Sequence, residues 1–217
     1  MFHVNHPEPG AEIHHRDPFT TPEHERSPAR RLRGRLAAPV TLWTAGSPSA
    51  GREGHTAGSP SAGREGHTAG SPSAGREGWS APIAGLTVAS TMVADGDPPR
   101  LLGVLDGESD LWAAIDELGR FAVAPLGPAH RQLADRFAGL MPAPGGLFKG
   151  MDWQHTAYGP VLPEVTGWAG CRVDDVRPCG WGLLVQATIE SVTVSDGDDP
   201  GPLIHYRGRY RVLAGTR

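Results

Sequence analysis

Three hydroxyl side chains crowd one short segment: Thr87, Ser90 and Thr91 fall within Ile83–Val93 (IAGLTVASTMV), a run entered through Gly85. Hydroxyls beside successive backbone N–H groups are the ingredients of an anion nest, which can hold a phosphate. The same residues also suit the outward positions of an ordinary strand, and composition alone favours that plainer reading. Nothing else supplies catalytic machinery. No GxGxxG follows a strand, and GxxxxGK, HExxH and GxSxG are absent. No carboxylate pair stands out as general acid and base, so no catalytic residue is assigned. The acidic loop Asp196–Pro202 (DGDDPGP) lacks EF-hand spacing and reads as a turn. Cys171 and Cys179 fit neither a redox CxxC nor a zinc knuckle. No metal site is expected, and the histidines of the first 36 residues read as part of a soluble tail.

The elements that must position those hydroxyls are mostly strands. Pro39–Ala45 (PVTLWTA) is rich in β-formers and reads as the first strand. The hydroxyl-bearing run is the second, and Pro98 and Pro99 mark a tight entry into a third, Arg100–Leu105. Glu108–Leu118 is a helix with Leu111, Ala114, Ile115 and Leu118 on one face and Gly119 at its end. A strand at Arg120–Leu126 (RFAVAPL) precedes a second helix at Pro128–Ala138, with Leu133, Ala134 and Phe137 inward. Leu140–Val165 is broken by Gly and Pro and reads as a long excursion with exposed aromatics at Phe148, Trp153 and Tyr158. Strands at Gly167–Val176, Gly182–Val194 and Leu203–Leu213 follow, the last two expected to pair as a hairpin across DGDDPGP. The count favours a closed or nearly closed β-barrel decorated by helices.

A perfect repeat interrupts this series. TAGSPSAGREGH occupies Thr44–His55 and Thr56–His67, and TAGSPSAGREGW occupies Thr68–Trp79. Each copy lacks an apolar face, whereas solenoid units must bury one against their neighbours. The array therefore reads as an expanded loop, 44–79. Lengthening such a loop costs only about 0.6 kcal/mol per doubling. Of the equivalent arginines Arg52, Arg64 and Arg76, the last is nearest to Thr87 in sequence and is the one expected to keep a cofactor role.

The chain has 217 residues, 38% of them hydrophobic, and a formal net charge of -4. That balance argues against a nucleic-acid partner, and no apolar run is long enough for a membrane span. Residues 1–36, with a local Arg-rich stretch, read as a flexible polar arm, and 37–213 as one domain. A cytoplasmic protein is expected.

The order PVTLWTA, GLTVAST, double proline, FAVAPL and HRQLADRFAG resembles the flavin reductase-like family, as do CRVDDVRPCGWGLLVQATIESV and PLIHYRGRY. The resemblance implies a mainly β fold, an FMN-binding split β-barrel with two or more peripheral helices. It implies FMN contacts at Thr87, Ser90 and Thr91, and at Ala122, Val123, Ala124 and Pro125 mainly through backbone, with Arg131 a weaker candidate. It also implies an NAD(P)H:flavin oxidoreductase, homodimeric, using NADH or NADPH and passing reduced flavin to a separate monooxygenase. Two departures stand out. Ala124 replaces the amide side chain of the family's FxVNvL. Gly180-Trp181-Gly182 replaces a Gly-Asp-His triplet, so the alternative is a flavin-binding protein on the same barrel without reductase turnover.

Overall fold

The computed structural model describes residues 27–46, 83–195, 197 and 199–213. Helix α1 (Pro28–Arg35) opens with Pro28 at its start and with the Ser27 side chain accepting from the Arg30 N–H. None of its residues is buried. The remainder of the expected arm lies outside the described residues.

Strands β1 (Ala38–Pro39) and β2 (Thr41–Ala45) follow, and β2 is buried along its whole length. After the undescribed stretch come β3 (Ala84–Val88), β4 (Met92–Ala94) and β5 (Arg100–Leu105). The single strand expected at 83–93 is thus two, broken at Ala89–Thr91. Helix α2 (Asp110–Leu118) is capped by Ser109, whose hydroxyl accepts from the Trp112 N–H, and ends at Gly119 with φ 65°. It buries Leu111, Ala114 and Ile115 as its periodicity requires, and Trp112 with them. Strand β6 (Arg120–Pro125) leads through a short 3-10 turn into α3 (Arg131–Phe137), which buries Leu133, Ala134 and Phe137.

Two short strands, β7 (Gln154–His155) and β8 (Pro160–Val161), pair within the long excursion. Its aromatics are less exposed than expected: Phe148 and Trp153 are half-buried and pack edge-on against Phe137. Strands β9 (Gly167–Cys179) and β10 (Gly182–Val194) form a long hairpin, and β11 (Leu203–Tyr206) pairs with β12 (Arg209–Val212). Here the expected pairing fails. The last predicted strand breaks at Arg207-Gly208, and β11 joins β12 and β1 in a separate three-stranded sheet instead of lying on β10. The partner of β10 on its other side is β5.

Seven strands form the main antiparallel sheet, in the order β3-β2-β6-β9-β10-β5-β4. Its two end strands are consecutive in the chain, so the connection Ala89–Thr91 itself joins the ends. The Ser90 hydroxyl completes the closure by donating to Val104 O (2.8 Å) and accepting from Val104 N–H (3.0 Å) on β5. Trp43 fills the interior. It is fully buried, stacks on Phe121 at 4.7 Å, and reaches from β2 across to Gly103 of β5, where a Cβ would lie 2.6 Å from its ring. A flat sheet would hold β2 and β5 four strands apart, so this contact requires the curl of a barrel. A second apolar cluster joins Val40, Leu42 and Leu126 to α3 outside the barrel.

Candidate active site at one end of the barrel

Register brings the two candidate flavin segments to one end of the sheet. Thr41 of β2 stands opposite Val88 of β3 on one side and Pro125 of β6 on the other. The Ala89–Thr91 connection and the end of β6 therefore flank one strand, roughly two strand spacings of about 4.8 Å apart.

The hydroxyls themselves are committed inward. Thr41 Oγ1 donates to Val88 O (2.8 Å) and lies 2.7 Å from Thr91 Oγ1. The single Thr41 proton is spent on Val88, so Thr91 is the donor in that pair. Trp43 Nε1 donates to both oxygens, at 3.1 Å to Thr41 and 2.9 Å to Thr91. Ser90 is spent on Val104, as above, and Thr87 Oγ1 donates to Ala134 O in α3 (2.8 Å). Because side chains alternate along a strand, Thr87 and its neighbours in register, Leu42 and Ala124, face the α3 layer. Thr87 is thereby separated from Ser90 and Thr91. What the connection does offer is backbone: the N–H groups of Ala89, Ser90 and Thr91 make no backbone hydrogen bond among the described residues. N–H groups without backbone partners are available to a bound acceptor, and an oxyanion or a flavin ring carbonyl is such an acceptor.

The β6 segment divides in the same way. Ala122 and Val123 sit between β2 and β9 and pair with both. Ala124 and Pro125 pair with β2 and not with β9; Ala124 is buried and Pro125 exposed. Arg131 is exposed at the start of α3, near Tyr210 of β12. Arg76 lies outside the described residues.

The Gly180-Trp181-Gly182 triplet forms the β9–β10 turn. A Cβ on Gly182 would lie 3.1 Å from the Val104 side chain, and Val104 is the residue that Ser90 grips. Trp181 is 88% exposed and so stands beside the same end of the barrel, with exposed Met92, Val93 and Val104 nearby along β4 and β5. Sequence reasoning missed Thr41 and the Trp43 indole N–H as parts of this end. Their signal, hydroxyl and indole at alternate positions of one strand, has no motif.

The remaining ionisable groups serve elsewhere. Burial pushes the Cys171 thiol up to about 12, so it is protonated near neutral pH and no nucleophile. Arg172, Glu190, Asp174 and Arg100 form a chain of ion pairs across β9, β10 and β5, with Arg172 Nε 2.7 Å from Glu190.

The pattern described as "Flavin reductase like domain" matches residues 33–214. The chain belongs to that family. Among curated relatives, FMN reductase (NADH) RutF 2 of Methylorubrum extorquens is 33% identical over 132 residues, 60% of this chain and 74% of that protein. The reductase subunit HsaB of a flavin-dependent monooxygenase from Mycobacterium tuberculosis is 30% identical over 115 residues, 52% of this chain and 60% of that protein. Among solved structures, nitrilotriacetate monooxygenase component B from Mycobacterium thermoresistibile superposes with a TM-score of 0.65 at 24% identity. That match covers 86% of this chain and 85% of the other. The mainly β barrel expected from sequence is thus the fold.

Proposed function

We propose that this member of the flavin reductase family holds FMN at the barrel end and reduces it with NADH or NADPH, as the reductase component of a two-component monooxygenase. The observation that carries the reading is the set of N–H groups at Ala89–Thr91 without backbone partners, one strand away from Pro125, in a chain matched to the family from 33 to 214. Bound flavin supplies the hydride acceptor; the protein binds and orients it. The Ala89–Thr91 backbone donates to the flavin's acceptor atoms, Pro125 and the Ala124 backbone flank it, and Thr41, Thr91 and Trp43 hold that connection rigid. Ser90, Thr91 and Thr87 contribute by fixing the connection rather than by offering hydroxyl protons. The exposed apolar side chains Met92, Val93, Val104 and Trp181 favour a homodimer packed about this end. The domain runs over 37–213 with the repeats as an insertion; the expected loop 44–79 starts too early, because Thr44 and Ala45 are the paired end of β2. Among the described residues no helix is long and apolar enough to cross a membrane; a cytoplasmic location fits this reading.

Anaerobic titration of the FMN-reconstituted protein with NADH and with NADPH tests the assignment. Bleaching of the flavin absorbance by either is expected. Bound flavin that neither nucleotide bleaches would establish the second reading, a flavin-binding protein without turnover. That reading is favoured by an exposed Trp181 where the family's reductases carry acid and imidazole groups.

A further inference from the structure

A cavity of about 490 Å3 lies along the outer edge of β3, between the start of α2, the end of α3 and the loop Gly145–Lys149. That size suits part or all of a small-molecule ligand. β3 is an end strand of the sheet, so the same edge runs from this cavity at Ala84–Leu86 to the Ala89–Thr91 connection. Two cationic side chains, Arg136 and Lys149, line the cavity, and neither has a carboxylate within ion-pair distance among the described residues. Arg136 Nη2 donates to Gly146 O (2.8 Å) and Lys149 O (3.0 Å), which fixes the loop, while its buried Nε has no partner. Lys149 folds back across Gly145: a Cβ there would meet its chain, with Nζ only 2.9 Å away. Glycine at 145 therefore leaves the room that brings the ammonium over the loop. Leu147 and Phe148 supply an apolar wall, and Asp110 a carboxylate on the α2 rim.

An anion site, an apolar wall that includes an aromatic ring and a hydrogen-bond acceptor match the phosphate, base and ribose hydroxyls or amino group of one ligand class. We propose that this cavity binds the adenosine 5′-phosphate arm of a dinucleotide whose redox ring lies at the barrel end; the proposal rests on the flavin reductase reading above. FAD and NADH share this arm.

The test uses the full chain and 5′-AMP as probe, followed by calorimetry, with Lys149→Glu and Arg136→Gln as variants. Lys149→Glu leaves intact the Lys149 carbonyl that Arg136 grips, so the loop keeps its anchor. Saturable AMP binding is expected, weakened about tenfold or more in Lys149→Glu, the scale of losing one charge-assisted hydrogen bond. FMN affinity is expected to be unchanged. Weaker FAD binding with unchanged NADH binding assigns the arm to the flavin, and the converse assigns it to the nicotinamide nucleotide. Absence of AMP binding overturns the proposal, as does AMP, FAD and NADH affinity indifferent to both variants. AMP is titrated without flavin, so a protein that binds AMP but not FMN sinks the reductase reading alone.

Discussion

Adding one methyl group at Gly103 drives it into Trp43. The Cβ would lie 2.6 Å from Cζ2 and Cη2 of the indole, about 1 Å inside ordinary carbon–carbon contact. The ring has little freedom to retreat. Phe121 is stacked on it with planes 14° apart, and Nε1 is tied to Thr41 and Thr91. Overpacking of this kind costs about 1–3 kcal/mol. Restricting the unfolded chain by replacing glycine returns about 0.4–1 kcal/mol, so the clash wins. Gly103→Ala is expected to lose roughly 1–2 kcal/mol in urea denaturation, or about 2–8 °C in melting temperature for a chain of this size. A displaced indole also pulls on Thr91, so FMN affinity should fall with stability. Trp43→Phe leaves space for the new methyl, and the double variant should therefore be more stable than the sum of the singles. Gly103→Ala as stable as the parent, or strictly additive with Trp43→Phe, would refute both the curl of the barrel and the account of how its end is held.

Other changes separate framework from ligand contact. Thr91→Val strips the Trp43 indole and Thr41 of a partner and is expected to cost about 1–3 kcal/mol of stability. If instead FMN affinity collapses at unchanged stability, the Thr91 hydroxyl faces the ligand. His130 Nδ1 accepts from the Gly127 N–H (3.1 Å), and burial holds its pKa below the ordinary 6.5, against the raising effect of Glu164. Its stabilising contribution is therefore present above pH 6.5 and lost as pH falls through the lowered value. His130→Asn keeps an acceptor without a titration, so its melting temperature should depend less steeply on pH below neutrality; an unchanged slope would remove His130 as the cause. Deleting Thr44–His67 leaves Thr68-Ala69 to take the places of Thr44-Ala45 in β2, because the repeat is perfect. The shortened protein should fold and bind FMN as the parent does, and loss of FMN binding would give the array a role at the site.

Much of this architecture was legible from local pattern. The α2 face and its glycine stop, the inward side of α3 and the β-rich segments follow from period and punctuation. What escaped depends on distant partners. The run 83–93 carries an unbroken β pattern, yet it breaks at Ala89–Thr91, where the Ser90 hydroxyl bonds Val104 on another strand. The DGDDPGP loop resembles a hairpin turn, but β11 lies between β1 and β12, so both of its edges are taken in the separate sheet. Phe148 and Trp153 look exposed in a Gly-rich stretch until Phe137 of α3 is set beneath them. The family resemblance points to segments that the register brings to one barrel end, but no motif announces that their hydroxyl protons are spent on the protein itself. Thr91 meets Thr41 and Trp43 across 50 and 48 residues of chain.

The pairing of β2 with β3 carries a kinetic consequence. Ala45 faces Ala84 in that ladder, and the repeats supply nearly all of the chain between them. Only the two ladders of β2, with β3 and with β6, span the repeats in the main sheet, and the one with β3 must close a loop made almost wholly of them. Copy number therefore sets how far the chain must search before β2 finds β3, and with it the speed of barrel assembly. The cost of the array falls on the route to the native state, in time spent with two strand edges unpaired, where aggregation competes with folding.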